Sequence, residues 1–454
     1  ITRHYCIQSK EVSWNYSPNV TIVSNSYKRY DLTNKYETNA QKILNVNYPS
    51  MGNVFLKAVY KQYEYNEKSK KCNWNNEIVN ENNINGFLGP TIRAVVGDTI
   101  NVHYFNNCSR TYSIKPHGLY FSQDFEDNVL PGEEVKYTWY ALEGSGPESD
   151  SISSKLWMYQ SLVNLQYDLN SGLFGAIVVV NPKYITTDNE KKNAFPCDID
   201  FEYNIAMTTI DETNSWYFKQ NMKLNFGRQI SDSDLQTYQN NQEFVNANMR
   251  YSMNGYMFGN LNQYIGLSLS KDSIIRWNIL NINTNTNIED VSIQWDEYQV
   301  YNFKDSKSNY ITLNSPGYTT IDMNPTEDQL LSSLFLYNLD EEKQSQGMIG
   351  IYQVIDDNYK SKTTSTNSSV SNSSKGFFIF VIISSVIATI VLLYYNFYKI
   401  GPLSNVGDMS PILLESSHHF PVQSNQPSNS TKESGSSDIE SEKKNVNRVK
   451  HAEI

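Results

Sequence analysis

A run of twenty residues, Gly376 to Tyr395 (GFFIFVIISSVIATIVLLYY), carries no charge and divides the chain into unequal parts. At about 1.5 Å per helical residue such a run reaches roughly 30 Å, the thickness of a bilayer's hydrocarbon core. Lys375 and Lys399 bracket it, and Tyr394, Tyr395 and Tyr398 suit the interfacial belt. A buried core helix is seldom apolar on every side for so long. The expectation is a single transmembrane helix over 376–395. Lys360, Lys362 and Lys375 precede the run and Lys399 follows it, a bias that alone would place the N-terminal side in the cytoplasm. A cleaved signal sequence would override that bias. No apolar h-region opens the sequence at Ile1, so the numbering is expected to begin after such a cleavage.

Two features place the N-terminal part outside. The four cysteines, Cys6, Cys72, Cys108 and Cys197, all precede the apolar run, and an even number suits disulfides in an oxidising compartment. Three pairings are open. Acceptor triplets for N-glycosylation occur at Asn15, Asn19, Asn107, Asn367 and Asn372, although an Asn-rich chain supplies some by chance. Together these imply a type I membrane glycoprotein of the plasma membrane. Asp408-Met-Ser-Pro-Ile-Leu-Leu414 loosely matches an acidic-dileucine sorting pattern, which keeps the endosomal membrane open. With 37 basic against 48 acidic residues the formal charge is −11, the wrong sign for a nucleic-acid partner.

Before the run lie short alternating segments such as Thr99-Ile-Asn-Val-His-Tyr-Phe105, Val135-Lys-Tyr-Thr-Trp-Tyr140, Ala176-Ile-Val-Val-Val180 and Ile274-Ile-Arg-Trp-Asn-Ile-Leu280. Period-two patterning with β-branched and aromatic residues, punctuated by Gly97-Asp98, Pro131-Gly132 and Asn254-Gly255, predicts all-β sandwiches. No long amphipathic helix stands out. Asp188-Asn-Glu-Lys-Lys-Asn193 is a polar interruption and reads as a linker.

Gly86-Phe-Leu-Gly-Pro90, Gly97-Asp98, His117-Gly118, Pro131-Gly132-Glu133 and Ser171-Gly-Leu-Phe-Gly175-Ala-Ile-Val178 follow one another in order. His4-Tyr5, Trp14-Asn15-Tyr16, Lys57-Ala-Val-Tyr60 and Gln62-Tyr63 precede them. In this the chain resembles the ceruloplasmin/hephaestin-type multicopper oxidase family, whose cupredoxin-like domains also build the A domains of the coagulation cofactors. Ser215-Trp-Tyr-Phe218, Tyr251-Ser-Met-Asn-Gly-Tyr-Met-Phe-Gly259 and Arg276-Trp277 look like the family's even-numbered domains. The resemblance covers roughly residues 1 to 355. It implies an all-β chain with two tandem cupredoxin-like domains, 1–183 and 197–355, joined by a linker at 184–196. A Ser/Thr/Asn-rich stalk (356–375), the transmembrane helix (376–395) and a disordered cytoplasmic tail (396–454) complete the layout.

The family's copper centres need imidazoles and a thiolate, the donors that copper favours. Of six histidines, His418, His419 and His451 lie in the tail, leaving His4, His103 and His117. Where the family has His-x-His-Gly the chain reads Lys115-Pro116-His117-Gly118, and where it has His-Ser-His the chain reads Gln160-Ser161-Leu162. The blue-copper ligands of the second domain would fall near Ser292, Glu297, Ser333 and Asn338, and no cysteine follows Cys197. Copper is therefore not expected. His117 is a residual copper-ligand position with a structural role as its plainer reading, and His4 and His103 also read as structural. The family's calcium loop corresponds to Ser122-Gln-Asp-Phe-Glu-Asp-Asn128, where Gln123, Asp124, Glu126 and Asp127 would supply oxygens. An acidic surface loop is the alternative.

No G-x-S-x-G, H-E-x-x-H, Walker or G-x-G-x-x-G motif occurs. The functional expectation is a pseudoenzyme: a cell-surface scaffold recognising a protein or glycan partner, in adhesion, as a receptor or as a partner subunit. The rival is a membrane-anchored multicopper oxidase or ferroxidase, or a copper- or iron-handling protein.

Overall fold

The computed structural model describes residues 1–19, 33–79, 85–121, 128–261, 267–284, 290–296, 299–301, 307–325 and 334–355. Among the described residues, the strands up to Val180 form a six-stranded, a four-stranded and a small two-stranded sheet, and those from Phe201 onward form a six-stranded and a five-stranded sheet. In the first six-stranded sheet Thr2–Asn15 pairs antiparallel with Val54–Asn66 and parallel with Thr99–Asn107, which in turn pairs with Glu134–Tyr140. The sheet beside it carries Gly89–Val95, Phe174–Val180, Ser154–Gln160 and the two-residue strand Lys115–Pro116.

Alternation explains how these strands pack. Ile100, Val102 and Tyr104 point inward from Thr99–Asn107 and join Ile7, Tyr60, Ile92 and Trp139 in the core of the first half. The intervening residues face the other side of the sheet. A separate core in the second half gathers Trp277, Trp295, Ile293, Leu336 and Tyr352.

A third core lies between the halves and explains why some strands do not alternate. Along Phe174–Val180 every residue is buried. Ile177 and Val179 enter the first core, while Phe174, Ala176, Val178 and Val180 enter the shared one. Across from them Leu280 and Ile282 leave Ile275–Asn283 toward the same shared core, and Ile275, Trp277 and Ile279 turn the other way. A strand covered on both faces reads as a continuous apolar run, as Gly-Ala-Ile-Val-Val-Val does.

Ion pairs pin the halves across this core. The Lys57 ammonium lies 2.7 Å from Glu212 Oε1 and donates to the Asn170 carbonyl at 2.6 Å, with neither side chain exposed. Tyr16 donates to the same carboxylate oxygen at 2.6 Å. Arg93 pairs with Glu202, and Arg276 pairs with Asp322 while reaching Ser154 at 3.0 Å.

Helices appear where none was expected. Thr33–Leu44 lays Ala40 and Ile43 against the shared core, and Phe218–Phe226, Asp232–Asn240 and Gln242–Ala247 add Phe218, Met222 and Phe244. The Ser231 capping box and the Asn241 cap start the last two. The polar linker also contains a helix, Asp188–Asn193, capped by Thr187.

Only one disulfide forms. Cys6 and Cys72 are joined, whereas Cys108 is a buried free thiol and Cys197 an exposed one, which corrects the expectation that all four are paired. Among the described residues no helix is long and apolar enough to cross a membrane. The span 376–395, the stalk and the tail lie outside those residues.

Candidate metal centre

The residues at the family's first-half copper positions come together, but as a different set of groups. Lys115–Pro116 pairs antiparallel with the end of Ser154–Gln160, with Gln160 opposite Lys115. This register brings His117 Nε2 to 3.1 Å from Gln160 Nε2, while the His117 backbone N–H donates to the Met158 carbonyl at 2.8 Å. Burial, then the Lys115 ammonium, lowers the His117 pKa. Lys115 lies 5.2 Å from the Phe121 ring centroid. Gly118 permits the turn, for its φ is +68° and a Cβ there would sit 2.0 Å from the Trp157 ring. Ser161 is fully buried and donates to Asp168 Oδ2 at 2.7 Å.

In the second half, Ser292 bonds to Thr312 and the buried Asn338 amide donates to the Met348 sulfur at 3.2 Å. Asn338 pairs with the buried Ile293, while Ser292 turns to the opposite, exposed face, so the two side chains are not brought together. Glu297 and Ser333 lie outside the described residues, as do Gln123, Asp124, Glu126 and Asp127 of the calcium loop. Of the sugar-acceptor asparagines, Asn107 is exposed at a strand end, and Asn15 accepts hydrogen bonds from the Ser17 N–H and the Asn53 amide. Asn19 donates its N–H to Asn260, and Asn367 and Asn372 lie outside the described residues.

A different group of metal-type donors was missed. On the face of the first six-stranded sheet opposite the core, ligand atoms of Cys72, His103 and Glu134 all lie within 4.8 Å of one another. His4 Nδ1 is 3.4 Å from His103 Nε2. The signal was hidden in strand register: Cys6 sits opposite both Tyr63 and His103, and Tyr65 opposite Cys72.

The sequence comparisons follow the same outline. A multicopper oxidase family model matches residues 62–184. Human hephaestin is 27% identical over 316 residues, covering 66% of this chain and 25% of its own length. Mouse ceruloplasmin is 28% identical over 327 residues, covering 71% and 28%. The human protein named Ferroxidase HEPHL1 is 30% identical over 282 residues, covering 57% and 22%. Over these stretches the chain is similar to proteins of the ceruloplasmin/hephaestin type. It is mostly β. It spans about a quarter of the length of the curated relatives it matches.

This similarity overturns one expectation. Copper, not expected from the ligand count, is the metal to which the family model and the relatives point. The donors at the family's own positions do not fit it. Lys115, His117 and Gln160 offer one imidazole, an amide and an ammonium, and Ser292 and Asn338 offer no thiolate or imidazole. No redox step is therefore derived at those positions.

Proposed function

We propose that the chain is a membrane-anchored, copper- and iron-handling protein of the ferroxidase type, with copper as its metal. One observation carries this reading: the similarity to hephaestin and ceruloplasmin extends over 316 and 327 residues, well beyond the 62–184 segment matched by the family model. The apolar run Gly376–Tyr395 supports anchoring to a membrane, and the Cys6–Cys72 disulfide supports exposure of the sandwiches to an oxidising compartment.

The residues of this chain contribute a rigid frame. The buried Lys57–Glu212 pair and the hydrogen bond from Arg276 to Ser154 fix one half against the other. Burial favours the neutral form of the His117 imidazole, whose Nε2 accepts from the Gln160 amide. Bound copper would supply one-electron exchange with Fe²⁺ and O₂.

The test is oxidation of Fe²⁺ by the purified chain, followed as loading of apo-transferrin with Fe³⁺ and corrected for autoxidation. Copper-dependent oxidation above background is expected. Absence of turnover in a copper-loaded sample would overturn the reading and return the protein to surface recognition.

A further inference from the structure

The strongest cluster of metal-type donors lies away from every family position. We propose that His4, His103 and Glu134 form a binding site for a divalent transition-metal ion of the copper–zinc class on the outer face of the first six-stranded sheet.

Three strands assemble it. His4 comes from Thr2–Asn15, His103 from the adjacent parallel strand Thr99–Asn107, and Glu134 from Glu134–Tyr140 on the far side of His103. The spacing suits a shared ion. Two nitrogens each about 2.0–2.1 Å from a tetrahedral ion sit roughly 3.3 Å apart. His4 Nδ1 and His103 Nε2 are 3.4 Å apart. His103 is the shared member: one of its ring nitrogens lies within 4.8 Å of a Glu134 oxygen, which would add one hard donor to the two borderline imidazoles.

The side chains are held in place. His4 stacks flat on Tyr65 at 4.1 Å with the planes 6° apart, and Tyr65 lies 5.3 Å from the His103 ring. The Trp74 indole N–H donates to Glu134 Oε2 at 3.2 Å. Such outer contacts orient metal ligands in known sites. Cys72 Sγ belongs to the disulfide with Cys6 and is not counted as a ligand.

The experiment titrates the full chain, purified in detergent and stripped of metal, with Cu²⁺ followed by electron paramagnetic resonance and with Co²⁺ followed by visible absorption. Neither readout depends on iron oxidation, so the outcome is separable from the ferroxidase reading. A site with nitrogen hyperfine structure is expected in the wild type and in His117→Asn. His103→Asn and the exposed-site variant Glu134→Gln should each weaken it at least ten-fold, with circular dichroism unchanged in Glu134→Gln. Wild-type affinity in a His4→Asn/His103→Asn double variant, or no bound Cu²⁺ in the wild type, would overturn the site and leave the two rings as a hydrogen-bonded pair.

Discussion

Replacing Lys57 by Met would remove one partner of the buried ion pair that joins the two halves. Glu212 accepts from Lys57 at 2.7 Å and from Tyr16 at 2.6 Å through the same Oε1, and its Oε2 has no hydrogen-bond partner among the described residues. With the ammonium gone, a fully buried carboxylate keeps a single hydroxyl donor, and the Asn170 carbonyl loses its 2.6 Å bond. Breaking such a pair from one side costs about 3–5 kcal/mol. Unfolding entropy of about 2.1 cal/mol/K per residue over roughly 355 residues gives about 0.75 kcal/mol/K, so Tm should fall by about 4–7 °C if the halves melt together. The compensated variant Lys57→Met/Glu212→Gln removes the stranded charge while preserving an acceptor for Tyr16, and should recover at least half of the loss. Differential scanning calorimetry of the two variants and wild type measures both. A fall below about 1 °C, or a double variant no more stable than the single, would refute the claim that this pair is dry and coupled.

Burial pushes the Cys108 thiol up to about 12, while Cys197 is exposed. Because the thiolate is the reacting form, Ellman's reagent at pH 8 should titrate one thiol in the native chain and two in denaturant; two in the native chain would contradict the packing around Cys108. Removing the Cys6–Cys72 bond, which closes a separation of 66 residues, should cost roughly 4 kcal/mol on the chain-entropy estimate, measurable by urea unfolding of the Cys6→Ser/Cys72→Ser variant. Gly118→Ala places a Cβ 2.0 Å from the Trp157 ring at φ +68°, so a loss of about 2–4 kcal/mol and a shift in Trp fluorescence are expected. An unchanged Tm would show that the turn relaxes freely.

The strands were legible because one-sided burial leaves its mark on the sequence. Thr99–Asn107 alternates and was recognised as a strand, and Phe174–Val180 was recognised by its β-branched run. The helix Thr33–Leu44 was missed because it presents only Ala40 and Ile43 as buried described residues, too sparse a stripe in a polar segment. The short helices Asp232–Asn240 and Gln242–Ala247 are capped by local Ser and Asn side chains, a signal that an Asn-rich sequence blurs.

The family positions could be located because motifs such as His117-Gly118 are contiguous, and the structure does bring His117 against Gln160. His4 and His103 could not be joined in the same way. They are 99 residues apart, and only the parallel register of two strands sets them side by side. Each alone reads as a structural histidine. The disulfide partners were undetermined for the same reason, since Cys72 meets Cys6 through a third strand.

Metal content is the most direct measure of whether copper is the working metal of this protein. The full chain, expressed with copper and purified without chelators, should carry at least one copper atom by plasma mass spectrometry. Fewer than one copper atom per ten chains from copper-replete cells would contradict that assignment.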